Sequence, residues 1–196
     1  QPENAKEYVD VLNRQAALLK YLTEDLVEVS KASSGSLPVH LAPTDVNVLL
    51  SQLAGDYMEK LEDAQLEPIF HPAPSQPVIQ ADGQLLSRVL GNLFSNICKY
   101  AMPGTRVYFE SAADENTVSL TFKNISKYEL NIPAEELMAR FVRGDRSRHT
   151  EGSGLGLSIA QSLTELQGGT FRLEIDGDLF KAVGTFPREQ TELVQA

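Results

Sequence analysis

The chain has 196 residues, 42% hydrophobic and 22% charged, the balance of a soluble globular protein with room for one well-filled domain and a smaller appendage. Its net charge of −10 argues against nucleic acid as a general partner, because phosphate backbones demand basic surface. No apolar run nears the ~20 residues needed to cross a bilayer, so no membrane contact is expected of this stretch; the polar start at 1–6 is unlike a signal peptide, and the single cysteine, Cys98, excludes an internal disulfide and fits a reducing, cytoplasmic setting.

Residues 4–32 contain no Gly or Pro and read as one helix. Tyr8, Leu12, Leu19, Leu22, Leu26 and Val29 follow a spacing of four and three, with Gln15 at the missing step, which is the seam of a coiled coil or four-helix bundle. Such a stripe needs a cover. The cover is expected to be a second copy or a segment outside this stretch, the alternative being that the helix folds back onto the domain after it.

Residues 32–38 are small and polar and read as a linker. Thr44 or Asp45 can cap a helix whose Val46, Leu49, Leu50, Leu53, Tyr57 and Leu61 share a face. Residues 66–70 and 77–80 read as short strands around a proline-rich turn. Asp82 caps the next helix, running through Tyr100, and the alternating runs 106–111 and 117–123 predict antiparallel strands. Pro133 opens a short helix, a polar loop spans 142–153, and a helix covers about 154–167. Gly168 and Gly169 end it, and a last hairpin turns at 176–178.

The helix after Asp82 carries chemistry. Leu85, Leu86, Val89, Leu93 and Ile97 form its apolar face, and Asn92, Asn96 and Tyr100 form a second stripe at i, i+4 and i+8. A buried amide must be hydrogen-bonded or ligate something. Amide oxygens suit Mg²⁺ alongside phosphate oxygens, Lys99 can neutralise phosphate, and Tyr100 offers a flat ring. A pair of structural asparagines bonded to neighbouring backbone fits the same pattern. Further on, Gly152, Gly154 and Gly156 alternate just before an amphipathic helix with Leu155, Ile159, Leu163 and Leu166. Backbone N–H groups at such a helix start can receive an anion. The loop is not a Walker A, for Gly156-Leu157-Ser158 has no lysine, nor a dinucleotide fingerprint, for residues 143–151 are polar rather than strand-like. Arg140, Arg143, Arg146 and Arg148 fall within nine positions of an acidic chain, a local patch suited to a small polyanion.

Taken in order, the Asn-x-x-x-Asn-x-x-Lys-Tyr helix, the Glu-Glu-Leu-Met-Ala-Arg-Phe stretch, the arginine-rich loop and Gly-Ser-Gly-Leu-Gly-Leu-Ser resemble the ATP-binding catalytic domain of sensor histidine kinases, which are Bergerat-fold (GHKL) ATPases. The resemblance covers about residues 5–187. It implies an α+β fold: a two-layer α/β sandwich over residues 37–188, preceded over 1–36 by the second helix of a dimerisation domain with its linker, and followed by a polar tail at 189–196. It implies ATP and Mg²⁺ as ligands, with Asn92 and Asn96 on the metal and phosphates, Lys99 on phosphate and Tyr100 against adenine. Phe141 matches the family's phenylalanine box, Arg140 and Arg143 serve phosphates or lid, and Gly152, Gly154, Leu155 and Gly156 close over the triphosphate. The lid is expected at 142–153. No residue is assigned a bond-making catalytic role.

Two departures stand out. Where the family carries Asp-x-Gly-x-Gly, this sequence reads Lys123-Asn124-Ile125-Ser126-Lys127, so strand register puts Asn124 in the place of the aspartate that accepts the adenine amino group. An amide oxygen accepts the same bond without charge assistance. The second concerns the phosphoacceptor: His40 and His71 sit in proline-flanked extended stretches and His149 in the expected lid, and none precedes an acidic residue. The acceptor helix is expected upstream of Gln1. The implied whole is a membrane-anchored, homodimeric histidine protein kinase of a two-component phosphorelay. It would pass phosphate from ATP to a histidine and then to a response-regulator receiver aspartate. The alternatives are another Bergerat-type ATPase, such as an anti-sigma serine kinase, or a nucleotide-degenerate pseudokinase scaffold. The heptad helix argues against the first, and the retained asparagines, Lys99 and glycines argue against the second.

Overall fold

A computed structural model describes residues 2–131, 133–138 and 154–189. In chain order the elements are α1 (Pro2–Ser33), β1 (Ala42–Asp45), α2 (Val46–Asp63), β2 (Glu67–His71), β3 (Val78–Ala81), α3 (Gly83–Tyr100), β4 (Arg106–Ala113), β5 (Thr117–Ile125), α4 (Ala134–Met138), α5 (Gly156–Leu166), β6 (Thr170–Asp176) and β7 (Leu179–Pro187). A five-stranded sheet runs β2-β4-β5-β7-β6, with β2 parallel to β4 and the other pairs antiparallel, and β1 pairs with β3 in a separate two-stranded sheet. No helix among the described residues is long and apolar enough to cross a membrane.

Period-2 alternation sorts the sheet into two faces. On β5, Val118, Leu120, Phe122 and Asn124 are buried while the residues between them are not. The same parity buries Val107 and Phe109 on β4 and Phe180, Ala182 and Phe186 on β7. Helices cover this inner face. Phe94 of α3 stacks on Phe109 at 4.5 Å and meets Phe122 edge-on at 5.3 Å, and Tyr57 of α2 stacks on Phe94 at 5.1 Å. Each aromatic pair contributes about 1 kcal/mol beyond the area it buries. The outer face is polar, with Glu110, Lys123, Lys181 and Glu174 forming ion pairs across it.

Both predicted caps form. Asp45 accepts from the N–H groups of Asn47 and Val48, and Asp82 from those of Gln84 and Leu85. Gly168 and Gly169 end α5 for different reasons. Gly168 sits at φ +79°, a left-handed conformation, whereas a Cβ on Gly169 would come within 2.8 Å of the Phe186 ring and 2.9 Å of Thr164 Cγ2.

Two details differ from expectation. Strand β1, Ala-Pro-Thr-Asp, has no alternation that would predict it; it exists because β3 offers it a partner, and a two-stranded sheet has edges where proline is tolerated. The linker at 32–38 is packed rather than loose. The helix continues to Ser33, Ala32 is buried in the core, Leu37 packs partly against it, and the N–H groups of Ser36 and Leu37 bond to the Lys31 carbonyl. Consequently α1 lies against α5 near this end. Earlier along α1 the seam is uncovered: Tyr8, Leu12 and Leu19 are 67%, 66% and 65% exposed.

Candidate functional site

Helix α3 exists because Asp82 caps it and because Leu86, Val89, Leu90, Leu93, Phe94 and Ile97 bury one face on the sheet and neighbouring helices. That burial fixes its rotation and places Asn92, Asn96 and Tyr100 half-buried along one border, with Lys99 exposed beside them. Asn92 donates from Nδ2 to the Arg88 carbonyl at 3.0 Å. The back-bond uses the donor end of the amide on its own helix and leaves Oδ1 as the outward acceptor. That oxygen faces the start of α5, since a Cβ on Gly156 would lie 3.4 Å from it. The structure thus brings the asparagine helix and the last glycine together. Arg88, one turn earlier, lines a groove shared with Val27 and Lys31 of α1.

The start of α5 is set by a glycine and a buried anchor. Gly154 takes φ +70°, which turns the chain into the helix, and Leu155 is fully buried as an anchor. Leu155 is also the N-cap residue, and its side chain makes no cap hydrogen bond. An apolar N-cap supplies no side-chain acceptor of its own to the first N–H groups of α5, and the helix dipole favours an anion at this end.

Seven polar or charged residues are buried among those described: Asp82, Ser111, Asn124, Ser126, Ser158, Thr164 and Gln167. Six are hydrogen-bonded. Asp82 accepts from His40 N–H at 2.9 Å, Ser111 donates to Asn47 Oδ1, Ser126 accepts from Tyr128 N–H, Ser158 donates to the Leu155 carbonyl, Thr164 to that of Ala160, and Gln167 Nε2 to that of Leu163. Asn124 is the exception: it is 3% exposed and its Oδ1 has no hydrogen-bond partner. An orphaned buried acceptor costs about 1–3 kcal/mol, so this one needs an external donor to be explained.

Its place in the fold is set by its neighbours on β5 and α3. Along β5, Phe122 meets Phe94 of α3, and two positions past Asn124, Ser126 bridges to Ala101 at the end of α3, with Lys127 N–H on the Tyr100 carbonyl. Asn124 therefore lies beneath the last two turns of α3, the turns carrying Asn96 and Tyr100.

Arg140, Phe141, Arg143 and Gly152, with His149 and the expected lid at 142–153, lie outside the described residues. Of the other histidines, His40 is exposed and contributes its backbone to Asp82, and His71 closes β2 beside Glu110 at 3.3 Å. Asp82 is a hub as well as a cap. Its carboxylate holds the linker at His40 and its N–H reaches Gln167 Oε1 at 2.9 Å, tying the start of α3 to the end of α5. The hydrogen bonds from His40, outweighing the opposing effect of burial, and those from Leu85 and Gln84 hold its carboxyl below the usual range. A capping aspartate is readable in sequence; partners 42 and 85 positions away are not.

Comparison with known proteins gives a consistent picture. The family described as "Histidine kinase-, DNA gyrase B-, and HSP90-like ATPase" matches residues 81–190, more than half of the chain. The sensor histidine kinase HprS of Escherichia coli K12 is 35% identical over 149 residues, which are 76% of this chain and 32% of HprS. Among solved structures, full-length ShkA in complex with AMPPNP superposes with a TM-score of 0.79 at 23% identity, over 96% of this chain and 40% of that one. The histidine kinase ThkA in complex with the response regulator TrrA gives 0.70 at 20% identity, over 96% and 53%. The chain spans about a third of the length of the curated relatives it matches. It belongs to the histidine kinase-, DNA gyrase B- and HSP90-like ATPase family, and within that family it carries a catalytic domain of the sensor histidine kinase kind.

Proposed function

We propose that the chain binds ATP with Mg²⁺ between α3 and the start of α5, and that it is the nucleotide-holding part of a dimeric sensor histidine kinase. The observation that carries this reading is that two asparagine amides lie close to a helix start that its own N-cap side chain does not cap. Asn92 Oδ1 is turned outward against Gly156, Asn124 Oδ1 is buried without a partner, and the N-cap residue of α5, Leu155, makes no side-chain cap hydrogen bond. A purine amino group satisfies Asn124, phosphates satisfy the α5 amides and Lys99, and a cation shared with phosphate satisfies the asparagine oxygens. When bound, Mg²⁺ would supply charge neutralisation on the phosphates. Asn92 and Asn96 would hold it, Tyr100 would border the base, and the resemblance assigns Arg140, Phe141, Arg143, Gly152 and Gly154 to phosphate binding or the lid. The chain's own contribution is to position and orient, which is most of what a phosphoryl-transfer enzyme does.

In the whole protein the acceptor is a histidine outside this stretch, and phosphate then passes to a receiver-domain aspartate. The uncovered seam of Tyr8, Leu12 and Leu19 supports homodimerisation through α1. The test is calorimetric titration with ATP in the presence and absence of Mg²⁺, for the wild type and Asn96→Ala. Mg²⁺-dependent binding is expected in the first and loss of at least tenfold in affinity in the second, with an unchanged circular dichroism spectrum. Equal affinity in the two proteins would remove Asn96 from the site.

A further inference from the structure

We propose that Asn124 makes this site permissive at position 6 of the purine, so that it takes 6-oxopurine nucleoside triphosphates as well as ATP. The inference rests on the nucleotide reading above and concerns which base that site accepts. Asn124 is 3% exposed, sits on the inner face of β5 beneath the turns of α3 that carry Asn96 and Tyr100, and leaves Oδ1 without a partner. No hydrogen bond to a described residue ties down its Nδ2 either. Neither end of the amide is committed, so rotation by about 180° about its last side-chain bond exchanges a carbonyl oxygen for an NH₂ group at no change in volume.

This symmetry decides base selectivity. An acceptor fixed as a carboxylate satisfies the amino group of adenine but opposes the carbonyl of a 6-oxopurine, because two oxygens with lone pairs then face each other in a dry site. Sites of that kind reject the wrong partner strongly, since a buried polar group is left unpaired. Asn124 escapes the conflict. Its Oδ1 accepts from an adenine amino group, and its Nδ2 donates to a purine 6-carbonyl, as amides do when they read base edges elsewhere. The phosphate-facing groups, Asn92, Lys99 and the start of α5, are indifferent to the base.

Inosine triphosphate isolates the effect, for it carries the 6-carbonyl without the 2-amino group of guanine. Wild-type protein and Asn124→Asp are titrated with ATP and with inosine triphosphate in Mg²⁺, by calorimetry. The wild type is expected to bind both within about tenfold, and Asn124→Asp to keep ATP while losing at least a further tenfold for inosine triphosphate. A wild type that binds ATP but prefers it more than a hundredfold overturns the inference while leaving the nucleotide site intact. A wild type that binds neither overturns the nucleotide reading and the inference with it. The wild-type ratio alone decides the matter if the buried aspartate unfolds the variant.

Discussion

Asn92 Oδ1 lies 3.4 Å from where a Cβ on Gly156 would be, so the middle of α3 and the start of α5 meet at this pair. The contact ties the side chain that offers an oxygen to the backbone that offers amides. Alanine at 156 fills the available space at ordinary contact distance, while a branched side chain reaches into the Asn92 amide. Gly156→Ala is expected to keep Mg²⁺-dependent ATP binding within a few-fold, and Gly156→Val to lower it by on the order of tenfold, about 1.4 kcal/mol. Calorimetry on both variants, with thermal melts to check folding, decides it. A valine variant that binds like wild type would separate Asn92 from the nucleotide.

Asp82 concentrates more of the architecture than any other carboxylate described. Its two oxygens accept from Gln84, Leu85 and His40, and its N–H donates to Gln167. Asp82→Ala removes a helix cap, worth about 1 kcal/mol, and strands the His40 N–H, so a total loss of about 2–3 kcal/mol is expected in urea denaturation. Asp82→Asn keeps an acceptor at the cap and is expected to lose about half as much. The carboxyl is held below its usual range, so its contribution is present above the carboxylate range and fades as pH falls through the lowered native value. If the alanine and asparagine variants are equally stable at neutral pH, the cap is not what Asp82 contributes.

The two acidic caps and the alternation of β4 and β5 are readable because each is a local pattern: an aspartate before an apolar helix face, or side chains alternating every second residue. The asparagine stripe is readable for the same reason. What escapes is set by distant partners. β1 takes its conformation from β3, whose residues lie some 36 positions later, and Ala32 and Leu37 turn a polar-looking linker into packed structure because the core is there to receive them. The orphaned oxygen of Asn124 lies between these cases. Strand register points to the position, but that six other buried polar residues are satisfied and this one is left open is a property of the folded state.

The outer face of the sheet carries a pH dependence that is separate from the site. Lys123 of β5 stands directly opposite Lys181 of β7, a like-charge pair. Each is neutralised sideways: Lys181 Nζ bonds Glu174 Oε2 at 2.8 Å, and Lys123 Nζ bonds Glu110 Oε1 at 2.7 Å, with His71 Nδ1 at 3.3 Å from the same oxygen. Partial burial tends to raise the Glu110 carboxyl, but the hydrogen bonds from Lys123 and His71 outweigh it and leave it below the usual range. The native state therefore binds fewer protons here than the unfolded chain. The stabilisation is complete above the carboxylate range and is lost as pH falls through the native value. Glu110→Gln removes the charge and leaves Lys123 unneutralised opposite Lys181, which is expected to cost about 1 kcal/mol at neutral pH and low salt. That difference should shrink as pH falls through the lowered native value of Glu110, where the wild-type carboxylate itself becomes protonated. Paired thermal melts of wild type and variant across pH 3–7 measure the gap directly, and a gap that stays constant over the whole range would show that Glu110 acts through packing and not through its charge.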